Sequence, residues 1–327
     1  MFKQEVGQGS FLKTSINYNT GLIGGNLALS GTLVRKTGDG IIDKTWTDAW
    51  AYYFGASYQM NDANRFEVYA IGAPQRHGQN LYKQNMMAYD QEFASENYKS
   101  ELDALDSDED GDSDWTEWNS QFTNDAGQDA GRTFNQNWSP INSDYKGQQY
   151  WYMYGERTTD RHDPDYLNER ENFFHKPLVN LNHYLTLNDQ MRLSTVLYWS
   201  GGSGGGTGTY GKIPTVDAAG ALGDDGHKFY YGPSPWTRDW NALIAMNSGT
   251  DDTVYVDKSA LGRTNGAGNN QSVGILRNSI NRQSTIGVIS KLNYDLSDAL
   301  KLQVGVDWRQ AGIEHAREVR DLMGGDY

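Results

Sequence analysis

The chain has 327 residues, of which 42 are acidic and 28 are basic, so its formal net charge is −14. An acidic balance argues against a nucleic-acid partner, which needs a basic surface, and the absence of cysteine excludes disulfides, thiolate zinc sites and thiol nucleophiles. Because no run of about 18 apolar residues occurs, a transmembrane helix is excluded, whereas a transmembrane β-barrel needs only about 10 alternating residues per strand.

Eight segments alternate between apolar and polar residues, which predicts half-buried β-strands and an all-β fold, since successive side chains of a strand point to opposite faces. The clearest segment is 300–309, with Leu302, Val304 and Trp308 on one face and Gln303, Asp307 and Arg309 on the other. In chain order the predicted strands are 10–19, 26–37, 47–59, 65–73, 177–187, 190–200, 283–295 and 300–309.

The connections between these strands alternate between short and long. Tight turns are predicted at 20–25, 60–64, 188–189 and 296–298, and long links at 38–46, 74–175 and 201–282. This order is typical of an antiparallel up-and-down transmembrane β-barrel with short periplasmic turns and long extracellular loops. A soluble β-sandwich or propeller is the alternative. We expect Lys13, Gln303, Asp307 and Arg309 to line a wet lumen, and the glycine-rich stretch 201–208 to be a flexible external loop.

Four stretches together resemble TonB-dependent outer-membrane receptors of the Bacteroidota type. They are Arg-Lys-Thr-Gly-Asp-Gly at 35–40, Trp-Thr-Asp-Ala-Trp-Ala-Tyr-Tyr-Phe at 46–54, Gly-Ala-Pro-Gln-Arg-His-Gly-Gln at 72–79, and the segment 197–208. The family implies a signal peptide, a TonB-contacting box and a plug before a barrel of about 22 strands. On that basis we expect residues 1–327 to be a middle fragment of the barrel domain, with 309–327 entering another external segment.

The resemblance implies active uptake of a large or scarce nutrient across the outer membrane of a Gram-negative bacterium. The expected partners are outer-membrane lipid, the TonB complex through the plug region, and an external ligand such as a siderophore, cobalamin, a glycan or a peptide. A passive porin and a secreted calcium-dependent glycan-binding β-protein are the alternatives. No catalytic constellation is present in the sequence, so we expect no enzyme activity.

Within the loop 74–175, residues 106–117 match the twelve-residue EF-hand calcium loop D-x-[DN]-x-[DN]-G-x5-E. Calcium prefers six to eight oxygen ligands, and the six predicted ligand positions are Asp106, Asp108, Asp110, Asp112, Asp114 and Glu117. We expect a structural Ca²⁺ site within a helix–loop–helix insertion at 95–122. Ser113 departs from the apolar residue usual in paired hands, and an acidic solvated loop without metal is the alternative.

An aromatic group later in the same loop predicts a ligand-binding surface, because flat rings can stack on sugars, siderophore rings or peptides. Its members are Trp138, Trp151, Tyr152 and Tyr154. The alternative is a small local core that folds the loop against its neighbours. The loop 74–175 carries 21 acidic and 8 basic residues, a net charge of −13, so nearly all of the chain's negative charge lies there.

Overall fold

A computed structural model of the chain describes residues 1–125, 127–151, 155–158, 161–220, 222–223, 226–250, 263 and 270–327. The side chains of 148–151, 155–158, 222 and 227 lie outside this description. All statements below concern the described residues.

Strands dominate the structure. In chain order they are β1 (Phe2–Val6), β2 (Leu12–Ile23), β3 (Leu27–Asp39), β4 (Trp46–Asn61), β5 (Asn64–Gly72), β6 (Gln75–Gly78), β7 (Trp138–Pro140), β8 (Gln148–Trp151), β9 (Gly155–Thr158), β10 (Tyr166–Asn168), β11 (Glu171–His175), β12 (Leu178–Asn188), β13 (Met191–Gly211), β14 (Thr215–Asp217), β15 (Leu222–Gly223), β16 (Trp236–Arg238), β17 (Gly274–Ser297) and β18 (Leu300–Asp321).

Four helices and one short 3₁₀ turn (Met86–Ala88) lie in the long connections. The helices are α1 (Gln91–Leu102), α2 (Asp114–Asn124), α3 (Gly226–Tyr231) and α4 (Trp240–Ser248). Among the described helices, none is both long enough and apolar enough to cross a lipid bilayer.

Eleven strands form one antiparallel sheet, which confirms the all-β prediction. The order across the sheet is β1-β2-β3-β4-β5-β12-β13-β17-β18, and β6 and β11 pair between β4 and β13. All eight predicted strands are present. The alternation missed β1, β6 and β11, which have only 4 or 5 residues each. In the described part of the chain β1 and β18 are the edges of this sheet.

Two proline positions divide what would otherwise be two longer strands. Pro74 lies between β5 and β6, and Pro177 lies between β11 and β12. Proline has no backbone N–H to donate to a ladder, so each pair of strands is interrupted there. Beyond the break, β6 returns to β4 and β11 returns to β13, and the sheet continues.

The prediction that 201–208 is a flexible loop is wrong, because these residues lie inside β13. They pair with β17 from Gly201↔Ser284 to Gly208↔Arg277. The bare backbone allows close approach from both sides. A Cβ on Gly204 would lie 2.6 Å from the Cβ of Phe174, and one on Gly205 would lie 2.2 Å from the carbonyl oxygen of Ser279. Pairing with β17 and β11 therefore places residues 201–208 in a strand.

The expectation that 309–327 enters an external loop is wrong as well. Strand β18 continues to Asp321, pairing with β17 from Ser297↔Leu300 to Leu276↔Asp321. The alternation of apolar and polar residues ends at Arg309, so the pattern gave no sign of the remaining twelve strand residues. Their pairing partner β17 supplies the hydrogen bonds that hold them.

The register places the large apolar side chains of nine strands on one face of the sheet. For example, Leu181 lies opposite Leu197, Leu197 lies opposite Val288, and Val288 lies opposite Trp308. We call the following exposed side chains of this face the apolar band: Phe2, Ile16, Tyr18, Leu33, Trp50, Phe54, Tyr58, Val179, Leu181, Leu197, Trp199, Ile286, Leu302, Val304, Val306 and Trp308.

The other face is polar at the same height. On β18 it carries Lys301, Gln303, Asp307 and Arg309, where Gln303 donates to Asn293 (2.7 Å) and Arg309 pairs with Asp307. The polar face predicted from the alternation is therefore confirmed as a face of the sheet.

Toward the ends of the strands that carry the long connections, the face with the apolar band becomes buried. Thr207 on β13, Leu276 and Ile280 on β17 and Arg320 on β18 lie on this face and are buried. We call helices α1–α4 and strands β7–β10 and β14–β16 the cap. Its main core joins α4 to the sheet and comprises Ile141, Leu167, Ile213, Trp240, Leu243, Met246, Val273, Leu276 and Met323.

Candidate functional site

Two helices flank the acidic stretch, as the sequence predicted. Helix α1 begins after Asp90, whose carboxylate accepts a hydrogen bond from the N–H of Phe93 (2.8 Å). Helix α2 begins after Ser113, whose hydroxyl oxygen accepts from the N–H of Thr116 (3.3 Å). Side chains at these positions satisfy N–H groups that lack partners inside the helix. The acidic loop thus lies between the C-terminus of α1 and the capped N-terminus of α2.

The loop folds around the carboxylate of Asp106. Its two oxygens accept hydrogen bonds from the N–H groups of Asp110 (3.1 Å) and Gly111 (3.0 Å), while Asp110 accepts from the N–H of Asp112 (2.9 Å). Gly111 has a φ of 101°, a left-handed conformation that glycine adopts without steric cost. The glycine of the EF-hand motif therefore makes a turn in this loop.

Three of the six predicted ligands come together. Asp106, Asp108 and Asp110 each offer a carboxylate oxygen, and these oxygens lie within 4.8 Å of one another on the exposed side of the loop. Oxygen atoms alone at this spacing suit a hard cation such as Ca²⁺ rather than a metal that prefers nitrogen or sulfur.

The other predicted ligands are placed differently. The Asp114 carboxylate is buried and accepts from the N–H (2.8 Å) and hydroxyl (2.7 Å) of Ser107. Glu117 lies in the first turn of α2. Desolvation raises the pKa of Glu117, and the nearby carboxylates of Asp108 and Asp110 raise it further. That repulsion means that a cation among these groups would be stabilising.

A small core connects the helix–loop–helix to the rest of the cap. Trp115 and Phe122 of α2 are buried against Met87 and Ala94. At the end of α2, Asp125 pairs with Lys228 (3.0 Å) at the start of α3. The loop therefore adjoins a small apolar core, and its Asp106, Asp108 and Asp110 are exposed.

The predicted aromatic surface is described only in part. Trp138 lies on β7, half-buried, with its ring edge-on to Tyr166 at 6.0 Å between centroids, and Lys44 lies over both rings at 5.4 and 4.7 Å. The side chain of Trp151 and the whole of Tyr152 and Tyr154 lie outside the described residues. Burial raises the pKa of Tyr166 to about 12, so the ring stays neutral beside Lys44.

A buried charged cluster was missed by the sequence analysis. Glu169 is fully buried and accepts from the hydroxyl of Tyr82 (2.6 Å), with the Arg238 Nε 3.6 Å from its other oxygen. Burial, together with the charge of Glu169, raises the pKa of Tyr82. These residues are far apart in the chain. The local sequence Asn-Glu-Arg-Glu at 168–171 reads as a solvated turn, so no local signal would have revealed them.

Comparisons with known proteins give structural likenesses only. The chain is similar to the ferric-catecholate import receptor Fiu of E. coli K12 in its closed form, with a TM-score of 0.40, 9% identity, and coverage of 97% of this chain and 47% of that chain. It is also similar to the siderophore receptor PiuA of Acinetobacter baumannii (TM-score 0.37, 7% identity, 94% and 46% covered). A third likeness is to the pyoverdine outer membrane receptor FpvA of Pseudomonas aeruginosa PAO1 (TM-score 0.34, 10% identity, 98% and 42% covered).

The chain spans about half the length of these solved structures. TM-scores and identities of this size do not establish a common fold or function. No family model matches the chain, and no curated protein matches it.

Proposed function

We propose that this chain forms part of an outer-membrane β-barrel, with the apolar band in contact with lipid. The observation that carries the proposal is that large apolar side chains of eight strands of the sheet remain exposed on one face, while the opposite face is mainly polar. Soluble proteins rarely expose a continuous apolar surface of this extent. Apolar-out and polar-in alternation is the pattern of transmembrane barrels.

The height of the band fits a bilayer. On β17 the alternate apolar positions run from Ile286 to Tyr294, which is about 26 Å of strand at 3.3 Å per residue. With a strand tilt of about 40°, the height is roughly 20 Å, close to the apolar belt of about 25 Å in such barrels. Trp199 and Trp50 lie toward the cap end of the band, where aromatic girdles occur.

We further propose that the barrel belongs to a nutrient receptor of the TonB-dependent kind. The alternation of short and long connections and the four resembling stretches support this proposal. An external siderophore, cobalamin, glycan or peptide is the cargo class, and coupling to the TonB complex runs through a plug. The polar face that carries Gln303 and Asp307 then faces the lumen. A porin shares the lipid-facing wall and differs in having no plug.

A pair of neighbouring substitutions tests the lipid contact. Val304→Arg places a charge in the middle of the apolar band, whereas the control Gln303→Arg places the same charge on the polar face. For a lipid-exposed site near the midplane the cost is about 2–4 kcal/mol. We expect the Val304 variant to fold poorly into lipid vesicles, as measured by protease protection and heat-modifiable migration, and the Gln303 variant to fold normally.

Equal folding of the two variants, or recovery of the intact chain from the soluble fraction, would contradict the membrane proposal. The second result would favour the secreted calcium-dependent glycan-binding β-protein instead.

We propose that the acidic loop binds one structural Ca²⁺ ion, with Asp106, Asp108 and Asp110 as its first ligands. Glu117, Asp112 and Asp114 complete the predicted set, and Asp114 must then share its carboxylate between the ion and Ser107. The close carboxylates and the turn at Gly111 support the proposal. The ion would order the loop beside the small apolar core.

Isothermal titration of the chelator-treated chain tests calcium binding. We expect measurable heat with the unmodified chain and none with the double variant Asp106→Ala, Glu117→Ala. Glu109→Gln is the matched control, because Glu109 is in the same loop at a position that the motif does not use as a ligand. Absence of heat with the unmodified chain, or equal loss in the Glu109 variant, would refute a specific site.

We propose, finally, that Trp138 with Trp151, Tyr152 and Tyr154 contributes to the external ligand surface. The half-buried ring of Trp138 beside Tyr166 supports a rigid stacking platform. Trp138→Ala should weaken uptake of the cargo without changing the amount of folded protein in the membrane; unchanged uptake would assign the ring to local packing.

A further inference from the structure

A cavity of about 400 Å³ lies where α1, α2, the 3₁₀ turn and the end of α3 meet. This volume is in the range of small-molecule sites in proteins. Its walls are mainly apolar and aromatic, and include Met86, Met87, Tyr98, Leu102, Leu105 and Trp118. Methionine side chains adapt their shape to a ligand, and two of them sit at one wall.

Two polar side chains at the cavity, Glu101 and Gln84, have oxygen atoms that can still accept hydrogen bonds. Glu101 contributes an exposed carboxylate that makes no ion pair within the described part of the chain. Gln84 also lines the cavity, and its buried side-chain oxygen has no hydrogen-bond donor among the described residues. Asn85 is already engaged, because its oxygen accepts from the N–H of Met87 (3.0 Å) and its amide nitrogen donates to Tyr231 O (3.4 Å).

No lysine, arginine or histidine is among the described residues that line the cavity. A ligand that complements it must therefore supply hydrogen-bond donors, and a positive charge would be matched by Glu101. The cavity is also lined by the aromatic residues Tyr98 and Trp118, and an aromatic ring attracts a cation that lies over its face.

The surrounding field favours the same sign of charge. Helix α1 also carries Glu92 and Glu96 on its exposed surface, and the loop that follows holds seven acidic residues between 106 and 117. Surfaces with one sign of charge raise the local concentration of counter-ions. The negative charge around the cavity thus favours a cation, and its apolar walls favour an apolar body.

We propose that this cavity binds a small organic ammonium ion with an aromatic or branched apolar body. The ammonium group pairs with Glu101 at the mouth and donates toward Gln84, and the apolar body packs between Met86, Leu102 and Trp118. This assignment goes beyond the transport proposal. It holds whether or not the acidic loop takes up calcium.

Calorimetric titration of the full chain in detergent micelles tests the proposal, with empty micelles as the blank. The probes are 2-phenylethylammonium and 3-phenylpropionate, which have similar ring and chain sizes and opposite charges. We expect the cation to bind at least roughly tenfold more tightly than the anion, the scale of a desolvated cation–π contact plus an ion pair. The titrations are run with calcium and with a chelator, so that failure of calcium binding is scored separately.

Matched variants locate the binding site. Glu101→Gln should weaken binding of the cation severalfold, whereas Glu96→Gln, which removes an equal charge from an exposed position of the same helix, should leave it unchanged. Met86→Trp, which adds ring volume at the wall, should abolish binding while the thermal melting of the chain stays the same. No heat with the cation, equal affinity for both probes, or equal effects of the Glu101 and Glu96 variants would overturn the proposal.

Discussion

At the scale of single residues, Trp46 shows how the cap and the sheet are joined. Its ring is almost completely buried at the start of β4 and stacks on His162 of the cap, with 3.7 Å between centroids and 6° between ring planes. Arg76 of β6 lies over the same indole at 5.4 Å. Burial lowers the pKa of His162, and Arg76 lowers it further, while Glu171, Asp163 and Asp39 oppose the shift.

This contact predicts a pH-dependent stability. The folded-state pKa of His162 lies below its ordinary value of 6.5. The contribution of neutral His162 to the free energy of unfolding is therefore complete above pH 6.5 and is lost as the pH falls through the folded-state pKa. We expect the thermal midpoint to fall on acidification below that ordinary value, and to fall less in His162→Phe. His77 leaves a residual effect, since burial lowers its pKa too.

His315→Phe is the control, because it also removes one histidine but leaves the stack on Trp46 intact. If acidification lowers the thermal midpoint of both variants and of the parent chain by the same amount, the stack of His162 on Trp46 is not the origin of the pH dependence.

At the scale of elements, α2 depends on a few buried side chains rather than on an extensive apolar face. Only Asp114, Trp115 and Phe122 of its residues are buried. Its partner α1 buries only Ala94. Short helices with so little buried surface are marginal by themselves, so tertiary contacts determine whether the pair is formed.

Trp115→Ala should therefore loosen both helices. Removing a buried tryptophan costs about 3–5 kcal/mol, and we expect faster amide hydrogen exchange across α1 and α2 with no change in β17 and β18. Thr123→Ala, at an exposed position of α2, is the control and should change exchange little. Equal protection in the two variants would show that the helices are held by other contacts.

The sequence predicted the elements that have a recognisable pattern within a short stretch of consecutive residues. Eight strands were readable because apolar and polar residues alternate along each of them, and the acidic loop was readable because EF-hand spacing is local. Strand residues 201–208 were not, since glycines have no intrinsic preference for a strand and are held there by Phe174 and Ser279. The cavity beside Glu101 was equally unreadable, because Gln84, Trp118 and Tyr231 meet only in three dimensions.

At the scale of the whole molecule, one buried carboxylate links distant parts of the sheet. Glu171 of β11 accepts from Arg76 of β6 (2.7 Å) and from Arg320 of β18 (2.8 Å), and both Glu171 and Arg320 are buried. Burial lowers the pKa of Arg320, and the Glu171 charge counteracts this shift. The carboxylate of Glu171 therefore compensates the buried charge of Arg320.

Glu171→Ala should accordingly destabilise the chain by about 3–5 kcal/mol, the usual cost of leaving buried charges without their partner. Replacing all three residues with apolar side chains of similar size should recover most of that loss. The control is Asp295→Ala, which breaks the exposed pair with Lys301 (3.9 Å) and should cost at most about 1 kcal/mol. Denaturant unfolding measures all three, and equal effects of the Glu171 and Asp295 variants would contradict the expectation.

The length of β17 and β18 has a mechanical consequence for the cap. Both strands run from the apolar band into the buried region, with one register shift near the cap end between Leu276 and Arg277. Strand β18 extends 13 residues beyond Trp308, which is about 43 Å of strand. Because hydrogen bonds pair the two strands along this length, the extension resists bending. If the band sits in a bilayer and the strands tilt by about 40°, the far end of β18 lies roughly 30 Å above the membrane surface, and the cap packs along this extension. Removing two residues from each strand would keep every side chain on the same face of the sheet and would bring the end of β18 and the cap about 5 Å closer to the apolar band.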